Sequence, residues 1–527
     1  MAKTVRIPLV GVPHSRLFAL TGVPPGNSPL DQRFINTVFK IEANPLTGLK
    51  RIRVCKRPGL VGGESLSNVT GTGSDTGGAL AVCTTPVTQN GAADAYAFSV
   101  WLSSTADNIR VQLGDQQSNN AAITGPAASS RPVLLNVDGT PTFYFHIVAT
   151  NSANSGAFMA TTAAPPVISA QTDGDLPETI LVGSFAALDG FLFIATSEGS
   201  IYNFDLNSDT AVTSTSFLDN QFQQYGRGVA NYKDKIMMFN EDSIEFYENV
   251  GNPTGSPLQR VDHLSQKGYG LPFAANTMDT SQYYLSALDT VFWINNSRAG
   301  QVGVFMLDGF RPKKISSPDV DFDLAVGSET SANISGVFSL WGMTYLAFYP
   351  AMTTSSYLWV YCMELGVWTT WESPLITASA NVAGVVTNPS IGFGGVVATF
   401  FIGTSYRNLD VTNITFSSIS YTDNSSAYTA TVQTRNLDFG SRKRKRFDRL
   451  TLIGNDPKET SNCSVSWSSD DYANFSTART MDLTDNDGAP TTTRLGAHRK
   501  LAFRITNATD AAMELEAIEL DMEELQA

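Results

Sequence analysis

The sequence predicts an all-β protein, a β-propeller with a C-terminal β-sandwich platform domain. Three observations carry this expectation. Runs of four to seven β-branched and aromatic residues, broken by Asn, Asp and Gly, recur along the chain as antiparallel hairpin signals. Comparable hairpins start near Gly190, Lys235, Thr290, Gly342 and Gly395, a repeat of 45 to 55 residues, close to the roughly 40–50 residues of one propeller blade. Long helical periodicity is missing, and Gly 42 and Pro 24, with many Thr, Ser and Asn, suit a turn-dense chain.

The clearest module spans Tyr225 to Ser317. Lys235–Asn240 and Ser243–Glu248 form one strand pair joined at Glu241-Asp242. The Gly/Pro-rich link Gly251–Pro257 leads to Gln266-Lys267-Gly268, then to strand pairs within Gln282–Asn295 and Val302–Lys314, the last tied by the hairpin dipeptide Asp308-Gly309. Repeated four-stranded modules build a propeller, and four or five of them are expected between residues 175 and 425.

Residues 1–60 carry Pro8, Pro13, Pro24, Pro25 and Pro29 and a strand signal at Lys50–Lys56. They read as an N-terminal arm that adds a strand to the platform. Arg57-Pro58-Gly59 reads as a turn, with Pro presetting φ and Gly supplying positive φ. Residues 61–174 are expected to hold a linker, including the loop Gly71–Gly78, and an elaborated first blade or blades. Residues 426–527 form the platform. Its last strand, Met513–Leu520, alternates apolar and acidic residues with period two, the mark of a half-buried strand.

The formal charge of −14 opposes any grip on nucleic acid through phosphate contacts, and in its plainest reading keeps the chain soluble. Cys55, Cys83, Cys362 and Cys463 lie far apart without C-x-x-C spacing, so they are expected as free buried thiols. The N-terminus lacks a secretory apolar segment, and the longest apolar run, Gly394–Gly403, is too short to cross a bilayer. His14, His146, His263 and His498 are scattered, and no H-E-x-x-H, G-x-S-x-G or Walker pattern occurs. No catalytic, cofactor-binding or metal-binding residue is assigned. Asp482–Gly488 lacks the ligand spacing of a calcium loop and reads as a turn.

Trp467–Phe475 is similar to the Asp-box turn of sialidases, with Tyr472 in place of its Gly. It keeps open a second reading, a glycan-binding or glycan-cleaving propeller. The strongest charge feature is Arg442-Lys443-Arg444-Lys445-Arg446. Five cations in a row read either as a solvated edge that blocks aberrant strand pairing or as an adaptor or subunit interface. Glu514, Glu516, Glu519 and Asp521 are the candidate acidic partner surface, on a neighbouring subunit or in the same sandwich.

Four places in order carry a resemblance to a known family. They are Gln32-x-x-x-Asn36 followed by Arg57-Pro58-Gly59; Gly226–Phe239 leading into Ser243–Tyr247; Gln266-Lys267-Gly268 with Val304–Gly309 and Ile315; and Ser466–Ser476 with Arg494-Leu495-Gly496 and Phe503-Arg504-Ile505. Together they resemble the tail nozzle, or hub, proteins of short-tailed bacteriophages, the packaged-DNA stabilisation proteins. The resemblance implies a structural virion protein without enzymatic activity or cofactors. It implies a homo-hexameric ring that extends the portal-adaptor channel, retains packaged DNA and conducts it during ejection. Its implied partners are the portal-adaptor protein, tail fibres or spikes, double-stranded DNA held non-specifically in the lumen, and the host envelope at the distal end. The implied location is the virion tail, after synthesis in the host bacterial cytoplasm.

Overall fold

The computed structural model describes most of residues 181–525, together with 3–10, 32–43, 50–65 and a series of strands between 75 and 170. Almost all of its regular structure is β, and Pro318–Val326 is the one α-helix among the described residues.

Among the described residues, seven antiparallel sheets that make up a ring follow one another along the chain, the sixth and seventh joined to each other by a parallel pairing. The first holds Asp75–Val82, Ala97–Ser103, Asn108–Leu113 and Gln116–Ala122. In the second, Ala127–Ser129 and Val133–Val137 share one edge of Thr140–Ala149, followed by Gly156–Thr161 and Ile168–Ala170. The third, fourth and fifth start at Leu181–Leu188, Gly226–Tyr232 and Tyr284–Ala287, and each is a simple antiparallel meander. The sixth starts at Asn333–Leu340 and ends at Val367–Glu372; the seventh holds Val382–Thr387, Val396–Ile402 and Ser405–Asp410.

The inner strands, Val133–Val137 in the second sheet and the first strand in each of the others, neighbour one another in a closed cycle, the seventh lying against both the sixth and the first. The fourth strand of the seventh sheet, Leu60–Ser65, comes from upstream of the first sheet and pairs with Ser405–Asp410. The ring is thus fastened by a strand from the opposite end of the chain. More sheets are present than the hairpin repeat alone suggested, because residues 75–170, in the region expected to hold a linker and an elaborated first blade or blades, supply two. Asp75–Gly78, expected as part of a loop, begin a strand, and 71–74 lie outside the described residues.

The fourth sheet shows why the sequence runs are apolar without alternation. Successive side chains of a strand point to opposite faces, and both faces are covered here. Ile236, Met238, Val229 and Tyr247 enter a core shared with Ala186, Phe193 and Ile201 of the third sheet. Met237, Phe239, Ala230 and Phe246 enter a core shared with Phe292, Trp293 and Phe305 of the fifth. The first hairpin turns repeat as well. Asp189-Gly190, Leu288-Asp289 and Trp341-Gly342 have positive φ at both positions, as a type I′ turn requires.

Side chains stitch the inner strands where backbone pairing does not. Asn231 bonds both the amide and the carbonyl of Ala187, and Ser286 Oγ donates to the Asn231 carbonyl. Tyr284 donates its hydroxyl to the Val229 carbonyl at 2.8 Å and accepts from the Ser184 amide at 2.7 Å, joining three consecutive sheets. The hydroxyl fits because Gly183 and Gly228 stand beside it; a Cβ would lie 2.5 and 2.7 Å from it. Tyr284→Phe orphans a buried amide and carbonyl, and we expect it to cost about 1–3 kcal/mol in denaturant unfolding.

His146, in the second sheet, is fully buried, and desolvation holds its imidazole down to about 3. The unfolded chain then binds the extra proton between that value and about 6.5, so stability rises with pH across this window. His146→Gln should flatten the rise in Tm measured from pH 4 to 7.

The C-terminal block forms two sheets over one core. One runs Thr37–Ala43, Lys50–Lys56, Glu514–Glu524, Lys445–Gly454, Thr491–His498, with Lys3–Pro8 also on Glu514–Glu524. The other runs Arg479–Asp482, Asn462–Ser468, Ala502–Asn507, Ala430–Gln433, Arg33–Ile35. Phe447, Leu450, Leu515, Ile518 and Leu520 of the first meet Val432, Val465, Phe503 and Ile505 of the second. The second sheet does not stop at the boundary expected near residue 425. Ile35 pairs in parallel with Thr370, the outer strand of the sixth ring sheet, so Arg33–Ile35 splices platform to ring.

Candidate functional site

The residues that join platform and ring converge on one buried cation. Arg57 is completely buried. It grips Asp423 in a fork, Nη1 to Oδ1 at 2.8 Å and Nη2 to Oδ2 at 2.5 Å. Its Nε donates to Asn36 Oδ1 at 3.1 Å, and its remaining donors reach the carbonyls of Pro58 and Glu372 at 3.0 and 3.3 Å. The guanidinium lies over the Tyr428 ring, 4.0 Å from its centroid, with Trp371 at 5.2 Å. Burial pushes the Asp423 carboxyl up, but the Arg57 charge and hydrogen bonds and the Leu60 amide outweigh it, leaving the carboxyl below its ordinary value. Charge, planarity and five donors are all used, which is the work arginine does and lysine cannot.

The local backbone is built to this end. Asn36 sits at φ +53, its amide donates to the Thr370 carbonyl at 2.7 Å and its Nδ2 to the Thr429 carbonyl at 3.0 Å. Gln32 Nε2 donates to the Leu9 carbonyl. Gly59 does not serve the turn conformation expected of it. It has no positive φ, and its role is close approach, since a Cβ there would sit 2.0 Å from the Thr422 carbonyl oxygen. Neighbouring Lys56 is lowered by burial to about 8 and donates to the Thr509 carbonyl at 2.6 Å.

Gln266, Lys267 and Gly268 lie elsewhere, between the fourth and fifth sheets. Gln266 and Lys267 pair with Ile244 and Ser243, Gln266 Nε2 donates to the Phe310 carbonyl at 2.6 Å, and Gly268 turns the chain at φ +83. The motif residues therefore serve two joints of the scaffold.

The basic run and the acidic strand are neighbours in one sheet, with Lys445 opposite Glu524 and Arg446 opposite Glu523. Arg442, Lys443, Arg444 and Arg446 are exposed. Lys445 does not belong to that surface: it is 1% exposed and spends its ammonium on the carbonyls of Ser441, Lys443 and Arg499. The carboxylates of the candidate acidic surface are engaged within the chain. Glu514 contacts Lys40 and Arg53, both at 3.2 Å; Glu516 contacts Arg6 at 2.7 Å and Arg51 at 3.8 Å. Glu519 contacts Arg6 at 3.6 Å and Asp521 contacts Arg449 at 2.8 Å. Their cations come from the N-terminal strands and from Lys445–Gly454, so this face receives the chain's own arm. The apolar-acidic alternation slips by one residue at Ala517, and a bulge opposite Ile453 and Gly454 absorbs the slip.

The Asp-box-like turn is structural. Asp470 accepts from the Asn474 amide at 3.0 Å and its Nδ2 at 2.7 Å, bonds that bring the carboxyl down to about 2. Tyr472 occupies the glycine position at φ +67 and buries its ring. Among the described residues no group of His, Cys, Asp and Glu is arranged to hold a metal ion, and no helix is long and apolar enough to cross a membrane. Cys55, Cys362 and Cys463 are free and buried; Cys83 lies outside the described residues, as do His14 and residues 486–488.

Sequence reasoning missed Asp423 and Tyr428. Asp423 is 366 residues from Arg57, and Thr422–Ala427 carries only the look of a surface turn.

No curated protein matches the chain. Among solved structures it is similar to Raptor from Chaetomium thermophilum, at 11% identity and a TM-score of 0.40, over 67% of this chain and 29% of that one, so it spans under a third of Raptor. It is also similar to an exo-β-1,3-galactanase from Phanerochaete chrysosporium, at 10% identity and a TM-score of 0.26, over 83% and 95% of the two chains. BamB from Moraxella catarrhalis gives 12% identity and a TM-score of 0.29, over 57% and 93%. These are distant likenesses. Residues 136–336, from the second ring sheet into the sixth, match the phage-stabilisation family, described as bacteriophage P22 Gp10, β-propeller. Over this segment, 201 of the chain's 527 residues, the match supports a structural protein of a phage tail with a β-propeller fold.

Proposed function

We propose that the protein is the nozzle ring of a short-tailed phage, extending the portal-adaptor channel, retaining packaged DNA and conducting it into the host at ejection. The family match over residues 136–336 carries this reading. The junction at Arg57 supports it, because it welds ring and platform into one rigid body through a desolvated, fully bonded charge pair, as a load-transmitting part requires. The charge of −14 supports it too. Carboxylates facing a lumen repel phosphates, so DNA slides instead of adhering. In this reading six copies close a ring through a heterologous interface. Exposed Arg442, Lys443, Arg444 and Arg446 face the adaptor or the next subunit, and the distal end meets fibres or spikes and the host envelope.

The test is the mass and shape of the purified protein, alone and with its adaptor, by light scattering and negative-stain imaging. A closed ring of about six chain masses is expected. A monomer that stays monomeric with the adaptor and binds or cleaves oligosaccharides would overturn the reading.

A further inference from the structure

The strand Lys3–Pro8 occupies a place that is separable from the rest of the fold. It pairs along its whole length with Glu514–Glu524, from Lys3 opposite Met522 to Pro8 opposite Ala517. The neighbouring strand Lys50–Lys56 reaches only Glu514 and Leu515 of that edge. Without Lys3–Pro8, the backbone of residues 517–522 is an open sheet edge, a ready template for another strand.

The arm is held by few apolar contacts. Of its six residues only Ile7 is buried, with Leu9 and Val10 just beyond it. What makes the fit selective is charge: Arg6 meets Glu516 and Glu519, and Thr4 Oγ1 donates to Asp521 Oδ1 at 2.7 Å. A second copy of this chain carries the same strand in the same pattern and would satisfy every one of these contacts.

Chain length separates exchange from simple back-folding. The Gln32 side chain touches the Leu9 carbonyl, so the two ends of the connection are adjacent. Yet 22 residues, 10 to 31, join them, where connections in compact domains commonly run about 4–6 residues. Fully extended they span about 70 Å, enough to deliver the strand to an adjacent molecule. We propose that Lys3–Pro8 is an exchange strand, which in assemblies of this protein completes the Glu514–Glu524 edge of a neighbouring copy. Because contacts in the two arrangements are the same, exchange costs little and ties subunits together. The proposal requires two copies of the chain and no other part of the tail reading.

Thr4 and Asp521 provide the test. Two full-length chains with different affinity tags are co-expressed, one carrying Thr4→Cys and the other Asp521→Cys, and oxidised after purification. Exchange predicts a disulfide-linked dimer bearing both tags, at least ten-fold above the background when either variant is paired with the unmodified chain. A single chain carrying both substitutions calibrates the pair: exchange predicts covalent multimers, and back-folding predicts only an internal bond in monomeric chains. Two-tag dimers at background level, or no bond of either kind in the double variant, would overturn the proposal. Rings that form with internal bonds only would overturn it while leaving the nozzle reading intact.

Discussion

Arg57→Ala should destabilise the protein by about 3–5 kcal/mol, because it leaves the buried Asp423 carboxylate uncompensated. The loss has three parts that the geometry keeps apart: the forked bond to Asp423, the bond to Asn36, and the packing over Tyr428 and Trp371. Arg57→Lys should recover little, since an ammonium cannot reproduce the fork. A double variant, Arg57→Met with Asp423→Leu, should lose less than either single change, because no buried charge is stranded. Chemical denaturation of the four proteins checks the ordering, and equal losses in all of them would show that packing, and not the ion pair, holds the joint. Acid gives a second view. The Asp423 carboxyl is depressed in the folded state, so its contribution is present above the unfolded value of about 3.9 and disappears as pH falls through the folded value. Limited proteolysis across this range should release the segment around Arg57 from the wild type last, and from Asp423→Asn at every pH.

Gly336→Ala is expected to be the most damaging single-methyl addition in the ring. A Cβ at Gly336 would lie 1.9 Å from the Val385 carbonyl oxygen, and the obstacle is backbone, so no side chain can swing aside. This is where the sixth and seventh sheets pair in parallel, Gly336 with Val385 and Val337 with Val386. The pair must part or shift, with an expected cost of about 3 kcal/mol or more. Gly342→Ala is the control. Its φ is +76 and nothing lies within 4 Å of a Cβ, so only the backbone penalty of about 1 kcal/mol applies. Thermal unfolding of the two variants should separate them by several degrees; coincident curves would refute the close-packing argument.

Much of the ring was legible because its signals are local. Lys235–Asn240 and Ser243–Asn249 are apolar runs flanking a two-residue link, and the hairpin signal at Asp308-Gly309 is off by one residue, since Asp308 pairs with Arg311 and the turn is Gly309-Phe310. The acidic last strand was legible from its alternation, and the Asp470 turn from its donors and acceptors a few residues apart. Residues 75–170 were harder. Some strands there, such as Gln116–Ala122, are built from Gln, Ser, Asn and Ala and carry neither apolar periodicity nor β-propensity, whereas Ala97–Ser103, Asn108–Leu113 and Thr140–Ala149 carry the β-branched and aromatic runs that mark a strand.

Other features depend on partners hundreds of residues away. The pairing of Arg57 with Asp423 and the closure of the ring by Leu60–Ser65 both belong to this class. So does the capture of the acidic strand by Arg6, Lys40, Arg51 and Arg53. Local pattern settles which segments are strands and where they turn, because backbone sterics and side-chain alternation act over a few residues. Which strands meet, and which charges are buried together, is decided by the shared core. Desolvation there makes one pairing favourable and leaves the alternatives with orphaned charges and open edges.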